Sequence, residues 1–208
     1  MRRREMLQSL AAGAALATLG NADADQSAAA ASKFRLGYAP HPGMFKHSAG
    51  DDLLDQLQFI SERGFTAFED NRMKKRDTAT QEKIASKMAS LGLEMGVFVA
   101  HQIYWQDPNL ASGQEDWREE FLSNIRESVD VAKRVNATWM TVVPGHVDLK
   151  LDMGYQTANV VETLKRASDI LEPHSLVMVL EPLNPRNHPG LFLTKIPQAY
   201  MICRSVNS

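Results

Sequence analysis

The segment VMVLEPLNPRNHPG, Val177 to Gly190, runs an apolar stretch straight into Glu181 and then into a loop that holds Arg186 and His188. A carboxylate is costly to desolvate, so an acid at the end of a buried run needs an exposed rim or a partner that offsets the cost. At a strand end such a group can bind a divalent metal ion or carry a proton to and from carbon. The structural alternative is an ion pair with Arg186. The same punctuation recurs upstream, where Glu69 ends FTAFE, His101 ends VFVAH and His146 ends VVPGH. Glu69 either orients a substrate or loop residue or pairs with Arg72. Arg186 and His188 are placed to contact a substrate carboxylate or hydroxyl. Tyr104 and Trp105 follow His101 directly. An aromatic face suits the apolar side of a sugar and keeps water from a proton transfer, although the pair could equally be a hydrophobic cover over the rim. His41 is a further candidate, and His47 and His174 read as surface residues.

The elements that must position these residues follow one syntax: a short apolar run, a polar loop, an amphipathic helix. The runs are FRLGYA, FTAFE, LEMGVFVA, ATWMTVV and LVMVLE. Mostly apolar on both faces, they read as strands of a parallel sheet covered by helices. Between them, Leu53, Leu54, Leu57 and Ile60 keep helical spacing, as do Phe121, Leu122, Ile125, Val129 and Ala132. A third helix is expected over YQTANVVETLKRASDILEPH. The fifth helix begins near Thr194, a candidate cap, with Pro197 in its first turn. These stripes are core.

Strands that alternate with helices give an open doubly wound sheet or a closed barrel. No GxGxxG follows the first run and no GxxxxGK[ST] occurs, so the nucleotide-binding open sheets lack their signature. Polar residues that follow several different strands are what an α/β (β/α)8 TIM barrel places at its mouth. Eight units need about 250 residues, whereas this chain has 208. The expectation is a barrel truncated after about five β/α units.

Composition narrows the class. The chain is 44% hydrophobic and 23% charged with a formal charge of −2, ordinary for a soluble globular protein. No long basic run follows the N-terminus, so the footprint of a nucleic-acid binder is missing. Residues 1–24 carry Arg2-Arg3-Arg4, an apolar Ala-rich run and Ala22-Asp23-Ala24, the parts of an export signal; RREML is similar to the twin-arginine signal. The run is too short for a stable membrane anchor. The expectation is a periplasmic protein with a disordered leader over 25–33 and the partial barrel over 34–208.

VLEPLNPRNHPGLFLT resembles the strand-five segment of the hydroxypyruvate isomerase family. That family lies within the xylose-isomerase-like superfamily of sugar isomerases, sugar epimerases and endonuclease IV. The likeness extends through GFTAFE, LGLEMGVFVA and ATWMTVVPG, most of Phe34 to Val206. It implies one divalent metal ion (Mn, Mg, Co or Zn) held by Glu, Asp, His and Glu from the last four strands, with the two glutamates as acid and base. Glu181 matches the first ligand, and the other three are expected beyond Ser208, so this chain alone is not expected to be active. The implied reaction is isomerisation or epimerisation of a small hydroxy-carbonyl compound or sugar by proton transfer through an enediolate. Relatives use the positions of His101 and His146 for substrate hydroxyls or, in endonuclease IV, for zinc; His188 matches a variable position. Two other readings stay open, an endonuclease IV-like metallohydrolase and a non-catalytic sugar-binding barrel.

Overall fold

A computed structural model describes residues 34–208; the export signal and the leader expected from sequence lie outside the described residues. A short helix α1 (Lys46–Ala49) precedes α2 (Leu53–Glu62), and then strands and helices alternate. They are β1 (Ala67–Phe68), α3 (Thr78–Leu91), β2 (Glu94–Val99), α4 (Glu115–Val135), β3 (Ala137–Val142), α5 (Met153–Leu171), β4 (Val177–Leu180) and α6 (Ile196–Val206). All strand pairs are parallel and the order is β1-β2-β3-β4. Each helix therefore returns the chain to the same edge of the sheet, and every strand's C-terminal end opens on one side. This is the α/β architecture of a TIM barrel with four strands formed.

Local signals set the helix limits. Asp52 caps α2 by accepting from the backbone N–H groups of Leu54 and Asp55 at 2.7 and 3.2 Å. α4 carries Glu115 and Asp116 in its first turn and Lys133 and Arg134 in its last, both favourable to the helix dipole. It stops at Asn136, which takes the left-handed conformation. Its buried face is Phe121, Leu122, Ile125, Val129 and Ala132. α6 differs from the sequence reading, because its cap position is Lys195 and Thr194 makes no capping bond.

The sheet buries one face only. Phe98, Met140 and Val142 are fully buried in the core shared with α4 and α5, each such side chain contributing about 1.5–3 kcal/mol. On the opposite face Trp139 is 45% exposed, Val177 46% and Val179 39%. Strands apolar on both sides thus have a covering layer on one side among the described residues. The first run also departs from expectation: Phe34 to Ala39 forms no strand. β1 offers only a two-residue ladder, and the run is held by one backbone bond, Glu69 N–H to Pro40 O at 3.1 Å. Its aromatic residues anchor it instead, Phe34 against Tyr38 and Phe65 at 5.5 and 4.8 Å between centroids. Among the described residues, no helix is long and apolar enough to cross a membrane.

Candidate active site

Because the strands are parallel, Glu69 (after β1), His101 (after β2), His146 (after β3) and Glu181 (after β4) leave the sheet at one edge. Two consecutive acids at the end of β1 show how differently that edge treats charge. Asp70 is buried and satisfied: its Oδ2 pairs with Arg76 Nε at 2.5 Å and its Oδ1 accepts from Arg72 N–H at 3.0 Å. Glu69, half-buried, has no ion pair among the described residues, so the pairing with Arg72 is not formed. Burial holds its carboxyl above the usual carboxylate range, His41 pulls it back, and the charge of Glu181 raises it again. The charges of His41 and of Glu181 thus both act on Glu69. Glu181 is exposed, its N–H donates to Val142 O at 3.1 Å, and among the described residues its carboxylate pairs with no cation, Arg186 included.

His101 does not reach the open edge. Its ring is 4% exposed and packs edge-on to Phe121. Nδ1–H donates to Gln102 O at 2.8 Å and Nε2 accepts from Val143 N–H at 3.1 Å. Both nitrogens are spent on backbone, so the expected substrate contact gives way to a link between the ends of β2 and β3. Burial pushes its pKa down to about 4. Since the unfolded chain binds a proton near 6.5 and the native ring does not, stability falls as pH drops from about 6.5 towards 4, by up to roughly 3 kcal/mol. His101→Gln, which keeps an acceptor for Val143, is expected to flatten this acid limb. Urea midpoints between pH 4 and 7.5 check it, and an unchanged slope would remove His101 as its source.

A second group forms around the loops. The loop after β2 is tied to α4 through Tyr104, whose O–H donates to Glu120 at 2.6 Å and whose ring meets Trp117 edge-on at 4.7 Å. Tyr104 is an anchor, and it leaves Trp105 free to stack on His188 at 5.2 Å and 23°. His146 sits below, its N–H bonded to Asp107 O at 3.1 Å and its Nδ1–H donating to Val147 O at 2.9 Å. The loop after β4 crosses over it: Val147 N–H donates to Gly190 O and Phe192 N–H to Gly145 O, each at 2.9 Å. A side chain at Gly190 would overlap His146 Nε2, and its φ of +80° independently favours glycine. The result is a hollow of about 570 Å³ lined by Trp105, His146 and His188 with Gln106 and Asn187. Arg186 is exposed and outside that lining.

Residues 57–208 match the family described as xylose isomerase-like TIM barrel. The chain belongs to this family. No curated protein matches it. Among solved structures it is similar to AP endonuclease, family 2, from Brucella melitensis, with 22% identity over 81% of this chain and 64% of that one, TM-score 0.66. It is also similar to D-psicose 3-epimerase with D-tagatose from Clostridium cellulolyticum H10, with 11% identity, 83% and 60% coverage and TM-score 0.63. A third is IOLI protein with a binding zinc atom, with 18% identity, 76% and 55% coverage and TM-score 0.61. At these identities the likeness establishes the fold. The chain spans 55 to 64% of the length of these structures.

Membership in the xylose isomerase-like barrels puts a metal question to this site. Among the described residues, no three His, Cys, Asp or Glu side chains converge as a metal-binding group. Glu181, a carboxylate without an ion pair, fits as one oxygen ligand to a hard divalent cation, and the described residues do not complete the shell. Sequence reasoning missed Gln106, Asn187 and Gly190 in the hollow of this barrel. Nothing in their types or spacing marks them, because they meet only when the loops after β2, β3 and β4 cross.

Proposed function

We propose that the protein is a metal-dependent isomerase or epimerase of a small hydroxy-carbonyl compound or sugar, similar to hydroxypyruvate isomerase. The observation that carries this reading is Glu181: a carboxylate at a strand end, without an ion pair among the described residues, whose charge acts on a second, half-buried carboxylate, Glu69. A divalent cation bound at Glu181 would supply the positive charge that an enediolate's oxygens need. Glu181 takes the proton alpha to the carbonyl and returns it on the same face to the neighbouring carbon, which moves the carbonyl; epimerisation requires a second acid on the opposite face, the role that the resemblance gives to the second glutamate. His146 offers Nε2 to a hydroxyl, Trp105 and His188 shield the reacting carbons from water, and Glu69 and Arg186 orient the polar ends. D-tagatose in one similar structure and zinc in another support this reading by analogy. In deuterium oxide, with the intact barrel and with Mn, Mg, Co or Zn supplied in turn, a panel of ketoses and hydroxy-carbonyl compounds is expected to gain deuterium at the alpha carbon. No incorporation with any metal would overturn the proposal.

The likeness to an AP endonuclease supports one second reading, a metallohydrolase acting on abasic DNA. The absence of a basic run after the N-terminus weighs against it, and cleavage of an abasic duplex would establish it.

We also propose export to the periplasm by the twin-arginine route, on the strength of Arg3, Arg4 and the apolar run that follows. That route reads guanidinium groups rather than charge alone. Arg3→Lys with Arg4→Lys is expected to leave the protein in the cytoplasmic fraction. Normal periplasmic delivery of the double variant would count against it.

A further inference from the structure

We infer that Gln156 is a positioning residue for the candidate site: from the start of α5 it fixes the loop after β3, and through that loop it sets where His146, Trp105 and His188 stand. This deepens the isomerase reading and rests on it only for the reaction that those three side chains serve. Its basis is a device that three helices share. Asp52, Asp77 and Asp152 cap α2, α3 and α5, and four residues after each cap stands a glutamine, in DLLDQ, DTATQ and DMGYQ. Gln56, Gln81 and Gln156 are all buried. An amide is costly to bury unless it finds hydrogen-bond partners, and each of these turns back to the backbone of the loop that precedes its helix. Gln56 Oε1 accepts from Gly43 N–H at 2.8 Å and its Nε2 donates to Gly50 O at 2.9 Å. Gln81 Nε2 donates to Met73 O and Arg76 O at 3.0 and 2.9 Å. Gln156 makes three such bonds: its Oε1 accepts from Asp148 N–H at 2.8 Å, and its Nε2 donates to Asp148 O and Leu151 O at 3.0 and 2.8 Å.

The loops after β2 and β4 have no such glutamine. The same place in α4 holds Arg118, which binds Thr163 and Glu115, and in α6 it holds Ala199, which has no polar side-chain group. Tyr104, Asn159 and Gln198 add side-chain ties to these loops, and by their backbones both fasten onto the loop after β3. Asp107 O accepts from His146 N–H at 3.1 Å, while Gly190 O accepts from Val147 N–H and Gly145 O from Phe192 N–H, each at 2.9 Å. Asp107 lies two residues after Trp105 and Gly190 two residues after His188, the pair whose rings stack. Val147 leads directly into Asp148, the residue whose N–H and carbonyl Gln156 holds together. Without the amide, two carbonyls and one N–H lose their partner, and the loop must shift to bring them to water. The shift carries both neighbouring loops with it.

The experiment uses the full-length barrel and three variants. Gln156→Met removes all three bonds at similar length. Gln156→Glu keeps the acceptor for Asp148 N–H and loses the donors, and Gln56→Met removes the same kind of contact from a loop that carries none of the three side chains. All three variants are expected to melt below the wild type. Only the Gln156 variants are expected to lose the nuclear Overhauser effect between the rings of Trp105 and His188, and with it about tenfold in kcat/KM for alpha-deuterium exchange. In Gln156→Glu the new carboxylate faces two carbonyls, with Asp148, Lys150 and Asp152 the charged groups of the adjoining loop, so burial favours its protonated form. Measured against the wild type at each pH, its stack is expected to be absent at about pH 8 and to return towards about pH 5.5, where the acid donates again. Gln156→Met has nothing to titrate and stays without the stack; should it fail to fold, Gln156→Glu carries the test. A stack that persists in the Gln156 variants at the higher pH, that is lost as fully in Gln56→Met, or that Gln156→Glu does not regain on acidification would overturn the inference. Loss of the stack in a barrel whose wild type exchanges no deuterium keeps the positioning role and removes the isomerase reading. Unchanged exchange despite a lost stack overturns the positioning role and leaves the isomerase reading standing.

Discussion

In the full-length barrel, Glu181→Gln is expected to lower deuterium exchange at the substrate's alpha carbon by about a hundredfold or more, with the fold intact. The amide keeps the shape of the acid and removes both its charge and its basic site, so metal affinity falls as well. Stability is expected to hold, because Glu181 has no ion pair to lose among the described residues and its charge opposes that of Glu69. Without metal, the variant should melt at or slightly above the wild-type temperature. The structural alternative, a carboxylate kept for stability, requires a lower melting temperature and unchanged exchange. Those two measurements, made on the same preparation, decide between them.

The largest effect on stability is expected from Gly145→Ala. Gly145 has a φ of +90°, and a Cβ there would overlap Asn109 Oδ1 and lie 3.1 Å from Asp107 O. Asn109 is 3% exposed and its Oδ1 has no hydrogen-bond partner, so it cannot swing out without opening the loop above it. The strain of the left-handed backbone and the overpacking together cost about 2–4 kcal/mol. For a chain of this size the melting temperature should drop by about 10 °C. Gly37→Ala, where nothing lies within 4 Å of the added carbon, is the control and should melt like the wild type. Equal losses in the two variants would show that Gly145 is not specially constrained. Since Gly145 O accepts from Phe192 N–H, the same substitution should also loosen the loop that carries His188.

The strands after the first run were legible in sequence because their signal is local. FTAFE, LEMGVFVA, ATWMTVV and LVMVLE contain β1 to β4, each an apolar stretch bounded by polar loops. FRLGYA carries the same pattern and forms no strand, because pairing depends on a partner and β1 provides two residues of ladder. The helix stripes were equally clear, while the cap of α6 was not, since the helix begins at Ile196 and its cap position falls on Lys195, one residue past Thr194. At the site, position was readable and direction was not. Glu181, His101 and His146 all follow strands as their spacing implies. His101 then turns into the seam between β2 and β3, where Val143 N–H satisfies it, and no local feature distinguishes that fate from the partly exposed ring of His146. The stack of Trp105 on His188 joins two loops that are distant in the chain, so only the assembled sheet brings it about.

The strand order holds a consequence for synthesis. Each strand pairs with the one that precedes it in the chain, so no later strand has to be threaded between two earlier ones. A chain leaving the ribosome N-terminus first can add each unit to an edge that is already complete, and the sequence separation to be closed at every step is only one helix and its loops. Growth of the sheet is then vectorial, and the edge of β4 is where it stands once Leu180 has docked.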